Sequence, residues 1–246
     1  MRVTVLGGSG AWPTNTEACS GFLLQHEGFS LLVDAGYAVL PRLLDLMPAE
    51  RLDAVYITHG HPDHCVDLNP LLRARALGGA DPGPLPVYAP HHALDAVLAL
   101  DRPGMLDAAL EQHDFEPGAD FPVGPFDLRT ALLPHWVPNA AVRATAGGRS
   151  VVYTGDGGPD PALVELARGA DALVAEATYP EVMAADDAPY LSTARQAARQ
   201  AVEAGVGRLV LTHLWAGSEP GRYLGAAAGE YDGPTLVATG GLSFEA

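Results

Sequence analysis

The segment Thr58-His59-Gly60-His61-Pro62-Asp63-His64 constrains this chain more than any other. Three His and one Asp fall together directly after the apolar run Asp53–Thr58, which reads as a strand. A turn that follows a strand can point alternate side chains into one cavity. His59 and His61 then form one pair, and Asp63 and His64 face the other way. Imidazole with carboxylate suits Zn²⁺ and other borderline divalent metals. Two pairs from one loop predict two metals a few ångströms apart. Such a centre clamps the attacking and leaving oxygens of a displacement and makes hydroxide near neutral pH. The competing reading is a polar surface loop, which gives no reason for four ligand-type side chains at this spacing.

Strand and helix patterns alternate around this loop. Val3–Leu6, Pro86–Ala89, Phe126–Leu133, Ala172–Glu176, Arg208–Thr212 and Thr235–Ala238 read as strands. Gly21–Gln25 with Ser30–Asp34, and Ala141–Thr145 with Ser150–Thr154, read as hairpins around glycine-bearing turns. Helical spacing covers Val39–Met47, Val66–Leu77, His91–Leu100 and Pro161–Ala167. Ser192–Ala204 is an amphipathic helix with Ser192 as its N-cap and Gly205 as its stop. Asp101–Pro125 reads as irregular, with a short helical piece at Met105–Gln112. Gly78–Pro86 and Pro117–Pro125 read as surface loops near the mouth of a site. Strands come early in each half and helices follow, an order that suits two packed sheets with helices outside. No linker divides the chain, so residues 1–246 read as a single domain.

The motif H-x-H-x-D-H after a strand resembles the signature of the metallo-β-lactamase superfamily, and the resemblance extends along the chain. A later His stands in Pro134-His135-Trp136, an Asp in Tyr153-Thr154-Gly155-Asp156, and a final His in Leu211-Thr212-His213-Leu214. The resemblance implies an α/β fold of the four-layer αββα sandwich type. It implies that His59, His61 and His135 hold one metal, that Asp63, His64 and His213 hold the other, and that Asp156 bridges them. Taken singly, His135 or His213 could be an ordinary core or surface histidine, and Asp156 simple turn chemistry. The ordered set carries the inference.

Within the superfamily, Leu6-Gly7-Gly8-Ser9-Gly10, Asp34-Ala35-Gly36 and Ala175-Glu176-Ala177-Thr178-Tyr179 look like the ribonuclease Z and phosphodiesterase branch. There the acidic residue matching Glu176 belongs to a relay with a His that precedes a Ser-Thr pair. Here Ser192-Thr193 is kept, but Tyr190 and Leu191 stand where the His would be. The relay His and the protruding tRNA-gripping arm are both missing, which counts against tRNA cleavage. Tyr190 can donate a proton, though with an ordinary pKa of about 10 it suits the task less well than His.

Charge points the same way. The formal net charge is −16, and all 14 basic residues are Arg. A long polyanion is repelled, because phosphate contacts dominate nucleic-acid affinity and need a basic footprint. Without Lys there is neither Schiff-base chemistry nor a P-loop lysine. Two cysteines, Cys19 and Cys65, form no disulfide framework and suit a reducing, cytoplasmic setting. No membrane span or signal peptide is read.

The glycines near Gly7 make a poor dinucleotide fingerprint, since Ala11-Trp12-Pro13 follows instead of a helix. Cys65 reads as a small buried apolar residue. His26, His91, His92 and His113 read as surface residues. Asp67 reads either as a partner of a metal-bound His or as a helix N-terminal charge.

The sum is a dinuclear metal-dependent hydrolase, with Zn²⁺ favoured by the His count and Mn²⁺ or Fe²⁺ as alternatives. Its expected activity is phosphodiester hydrolysis of a small molecule or short nucleotide through a metal-bridging hydroxide. Asp63 would orient the hydroxide and take its proton, and Glu176, Tyr190 or a metal-bound water would assist the leaving group. The alternatives are a ribonuclease Z type tRNA 3′ endonuclease and a lactone or thioester hydrolase. The branch often forms dimers, so a homodimer is left open.

Overall fold

The computed structural model describes residues 1–80 and 82–246; Asp81, inside the expected Gly78–Pro86 loop, lies outside the described residues. The chain divides into two compact units, one of Arg2–Glu116 with Thr239–Phe244, the other of Met1, Pro117–Ala238 and Glu245–Ala246.

The first unit is built on a seven-stranded sheet in the order Ser243–Glu245, Arg2–Gly7, Gly21–His26, Phe29–Val33, Ala54–Tyr56, Leu85–Pro90, Leu110–Phe115. Its early strands pair antiparallel, and the four from Phe29–Val33 onward run parallel. Helices Val39–Leu44 and Leu68–Leu77 cover one face, burying Val39, Leu43, Leu68 and Leu72 against Leu32, Val55 and Val87. Parallel strands need such crossover helices, and their apolar runs reflect burial on both faces.

The second unit repeats the scheme, with strand order Thr235–Val237, Leu209–Thr212, Ala172–Glu176, Arg149–Tyr153, Asn139–Ala146, Phe126–Leu133, Asp120–Val123. Four strands are again parallel, from Arg149–Tyr153 to Thr235–Val237. Helices Pro161–Ala167, Ala194–Ala204 and Pro220–Ala228 bury an alanine-rich face against Val152, Leu173 and Leu211. Small side chains let helix and sheet approach closely. In both units the chain leaves each parallel strand at its carboxyl end, where open α/β sheets place their ligands.

The expected α/β class and most elements stand, with corrections at their ends. Ala194–Ala204 is capped by Thr193, not Ser192: the Thr193 hydroxyl accepts from Gln196 N–H while the Gln196 side chain accepts from Thr193 N–H. That reciprocal box outcompetes the Ser192 side chain, which donates instead to the Gly157 carbonyl. Gly205 stops the helix at φ 65°, as expected. Helices predicted at Val39–Met47 and His91–Leu100 shrink to Val39–Leu44 and Asp95–Leu98. Val66–Leu77 begins at Leu68, after a separate turn of helix at Pro62–Cys65. The stretch read as irregular holds two strands, Leu110–Phe115 and Asp120–Val123, and its helical piece is a single 3₁₀ turn at Asp107–Ala109. Both are edge strands with exposed polar residues, which weakens their periodic signal. Pro220–Ala228 and the last strand, Ser243–Glu245, have no counterpart in the sequence reading.

Candidate metal centre

In the first unit the four ligand-type residues sit at the carboxyl end of Ala54–Tyr56. His59 and His64 are fully buried and Asp63 nearly so. Burying that much polarity is costly unless each group is paired, and the pairing is specific. Asp34 follows the neighbouring parallel strand, where Val33 lies beside Tyr56, and its carboxylate is fully buried. It accepts from the Thr58 backbone N–H at 2.8 Å, from the Thr58 hydroxyl, and from His64 Nδ1–H at 2.7 Å. With its hydrogen committed to Asp34, Thr58 Oγ1 is left to accept from His59 Nδ1–H at 3.0 Å. Both histidines are therefore held as the tautomer that leaves Nε2 as an electron-pair donor.

His59 Nε2 and His61 Nδ1 lie 3.2 Å apart, and His64 Nε2 lies 3.6 Å from Asp63 Oδ2. Two ligands about 2.0–2.1 Å from a tetrahedral Zn²⁺ stand roughly 3.3 Å from each other, so each pair suits a shared ion. Asp63 also accepts from the Ala11 N–H at 2.9 Å. Ala11 there takes φ 60°, the left-handed region. Gly36 is required: a Cβ on it would strike the Asp63 carbonyl.

In the second unit, Asp156 follows Arg149–Tyr153, Glu176 ends the adjacent parallel strand, and His213 follows the next. Asp156 Oδ2 lies 3.2 Å from His213 Nε2 and 3.9 Å from His135 Nε2. One carboxylate facing two imidazole nitrogens is the arrangement a bridging ligand needs. His135 Nδ1–H donates to the Tyr190 carbonyl at 3.0 Å. His213 Nδ1–H donates to Thr178 Oγ1 at 2.9 Å, and Thr178 donates onward to Glu176 at 2.6 Å. Asp34 and His213 hold φ 60° and 59°, and residues kept in that region need support from the surrounding fold.

Glu176 is fully buried and accepts from Gly157 N–H, Ser192 N–H and the Thr178 hydroxyl. Burial pushes its carboxyl up to about 7; the Asp156 charge adds to the rise and His213 opposes it. It stands behind His213 as a positioning group. The Tyr190 ring lies 5.2 Å from that of Trp136, so the carbonyl of Tyr190 serves His135 while its ring packs on an exposed tryptophan.

Sequence reasoning missed Asp34, Thr58 and Thr178 as holders of the histidines. Asp34 carried a signal, an acidic residue just past an apolar strand in a Gly-bearing turn. The two threonines, each two residues past a strand end, did not stand out. Asp67 fits the second reading, a charge at a helix N-terminus: it stands at the N-cap position of Leu68–Leu77, and its carboxylate accepts from the Leu40 N–H at 2.8 Å, tying down the start of Val39–Leu44 as well. Burial raises its pKa, and the backbone donors at Leu40, Ala38 and Val39 oppose that. Cys65 is buried, and its surroundings push the thiol up to about 12. No helix among the described residues is long and apolar enough to cross a membrane.

Known proteins share this architecture. The family profile described as "Beta-lactamase superfamily domain" matches residues 30–214. The probable metallo-hydrolase YhfI of Bacillus subtilis is 36% identical over 217 residues, covering 87% of each chain. The crystal structure of YhfI superposes with a TM-score of 0.90 at 33% identity, covering 99% of both chains. A ribonuclease Z of Myxococcus xanthus is 30% identical, covering all of this chain and 97% of its own. The expected metallo-β-lactamase fold is thus met, and the chain belongs to the β-lactamase superfamily of metallo-hydrolases.

Proposed function

We propose that this protein is a dinuclear metallo-phosphodiesterase acting on a small molecule or short nucleotide. His59, His61 and His135 would hold one divalent ion and Asp63, His64 and His213 the other, with Asp156 shared, the whole chain working as a single hydrolase domain. The observation that carries the reading is the shared preparation of four of the five histidines. Nδ1 of His59, His64, His135 and His213 is each engaged by a fixed oxygen, leaving the other nitrogen as donor. Metal-ligating histidines are oriented in this way, the nitrogen away from the ion donating to a fixed oxygen. When bound, a pair of divalent ions activates water and neutralises charge on a phosphoryl group.

The chain's own residues do the rest. Asp63, which accepts from the Ala11 N–H, would orient the attacking water and take its proton. Glu176 holds His213 through Thr178. Tyr190 holds His135 through its carbonyl, and its hydroxyl is the candidate for protonating the leaving oxygen. The small-substrate reading is supported by the charge of −16 and by Tyr190 and Leu191 standing where the branch has its relay His. Zn²⁺ is the preferred ion for a His-rich set.

The test is hydrolysis by the zinc-loaded protein of bis(p-nitrophenyl) phosphate, a lactone, a thioester and a precursor tRNA. Diester turnover without tRNA cleavage is expected. Site-specific tRNA cleavage would replace this reading with a ribonuclease Z, and turnover of the carbonyl substrates alone would place the protein outside phosphodiester chemistry.

A further inference from the structure

The first unit carries a second polar concavity that none of the residues above lines. Its floor lies on the sheet face that elsewhere packs against the helices. That face reads Leu23 and Leu32 under the helices, but turns to Thr4, Gln25, Ser30 and Ser243 at one end. Apart from His26, the opposite face of the same strands is apolar, with Val3, Val5, Phe22, Leu24, Leu31 and Val33 all buried. A sheet position that could have extended the core is instead made of hydroxyls and an amide. These are prearranged: Thr4 Oγ1 lies 3.0 Å from Ser243 Oγ, and Gln25 Nε2 donates to Ser30 Oγ at 3.0 Å.

Three of the 14 arginines rim this groove: Arg2, Arg42 and Arg51. Arg42 donates to the Thr16 carbonyl at 2.8 Å. Arg2 and Arg51 make no side-chain hydrogen bond or ion pair among the described residues, although the protein carries 30 acidic side chains. Asp45 is the one carboxylate on the lining. The lining itself thus carries three guanidinium groups against one carboxylate, with Asp53 and Glu17 bonded to the Ser30 and Gly240 N–H groups behind it, and a concave site focuses the field of the groups that face it. Guanidinium groups match phosphate oxygens in a planar, two-pronged geometry. The cavity, about 670 Å³, has the size of a small-molecule site rather than a single-ion site. Met47 and Pro48 give it an apolar wall, and Gly240 and Gly241 line the other side, their N–H groups donating to Glu17 and to the Val5 carbonyl.

We propose that this groove binds a phosphorylated small molecule of nucleotide size, with the phosphates on Arg2 and Arg51 and the organic part against Met47 and Pro48. The proposal does not depend on the reaction at the metal centre.

The test is an NMR titration of the full-length, zinc-loaded protein with inorganic tripolyphosphate, ATP and adenosine. It follows the backbone amides of Gln25, Gly240 and Gly241. Saturable, salt-sensitive shifts with tripolyphosphate and ATP, and none with adenosine, are expected. The double variant Arg2→Gln/Arg51→Gln should bind both anions about tenfold more weakly or worse, the loss of roughly one charge-assisted pair, with diester turnover unchanged. Ser243→Asp, which adds a carboxylate to the floor, should weaken binding without touching either arginine. No saturable shift up to about 10 mM, the limit of weak but specific affinity, would overturn the proposal. So would equal binding by the double variant, or adenosine binding as well as ATP.

Discussion

The two sets of proposed ligands, one in each unit, are held differently. In the first unit, the four candidate ligands come from one short loop, and a buried carboxylate, Asp34, touches His64 directly and reaches His59 through Thr58. In the second, the three candidate ligands come from three separate strand ends, and their supports are weaker or indirect. A carbonyl holds His135, and a hydroxyl stands between His213 and Glu176. A contiguous loop can be fixed by one anchor. Dispersed ligands need an anchor each, and their geometry depends on strand register such as Glu176 beside Thr212. The first half should therefore fail as a unit when its anchor is lost, and the second should fail piece by piece.

The largest effect is expected where a ligand serves both ions. Asp156→Ala should abolish turnover and lower the metal content measured by plasma mass spectrometry. Full activity in that variant would remove the shared-ligand reading. Next comes Asp34→Ala, which strips the first half of its anchor. Loss of a group that orients metal-bound His typically costs roughly 10–100-fold in metal affinity or activity. The variant also leaves buried donors on Thr58 and His64 unpaired, at about 1–3 kcal/mol each, so the apo protein should melt at lower temperature as well. Thr178→Val should be milder, about tenfold in turnover and at the lower end of that range, with His59-side metal binding kept. If Thr178→Val matched Asp34→Ala, the contrast between a single anchor and separate ones would be wrong.

Backbone packing offers a parallel pair. A Cβ on Gly36 would strike the Asp63 carbonyl, and one on Gly158 would strike the Pro189 carbonyl, beside Tyr190. Each Gly→Ala variant should lose about 1–3 kcal/mol in denaturant unfolding, the usual cost of overpacking. Gly36→Ala should lose more activity, because it displaces a ligand's own backbone rather than a holder's. The smallest effect on metal binding and stability is expected from Tyr190→Phe, which keeps the carbonyl that holds His135; turnover should still fall about 100-fold, because the hydroxyl proposed to protonate the leaving oxygen is gone. Turnover within about twofold of the parent would take that role away from the hydroxyl.

The contrast also explains what the sequence could reveal. The loop of the first half is legible because its ligands are adjacent, and the apolar run before it announces the strand. His135, Asp156 and His213 are each unremarkable alone and became legible only as an ordered set. The holders stayed hidden for a physical reason. A threonine at a strand end is ordinary β-propensity, and only the tertiary pairing of Thr58 with Asp34, or of Thr178 with Glu176, gives it a task. Helix Pro161–Ala167 and strand Ala172–Glu176 were legible to the residue, because Pro at the first turn and a buried apolar run fix their limits. The edge strands at Leu110–Phe115 and Asp120–Val123 were not, since solvent on their exposed sides removes the pattern that marks a core strand.

The most direct test of the account is metal stoichiometry against activity. Apo protein titrated with Zn²⁺ should bind two equivalents per chain, with diester turnover appearing as the second site fills and a rise in melting temperature at each step. Full turnover at one equivalent, or no tight binding at all, would contradict the proposed dinuclear centre.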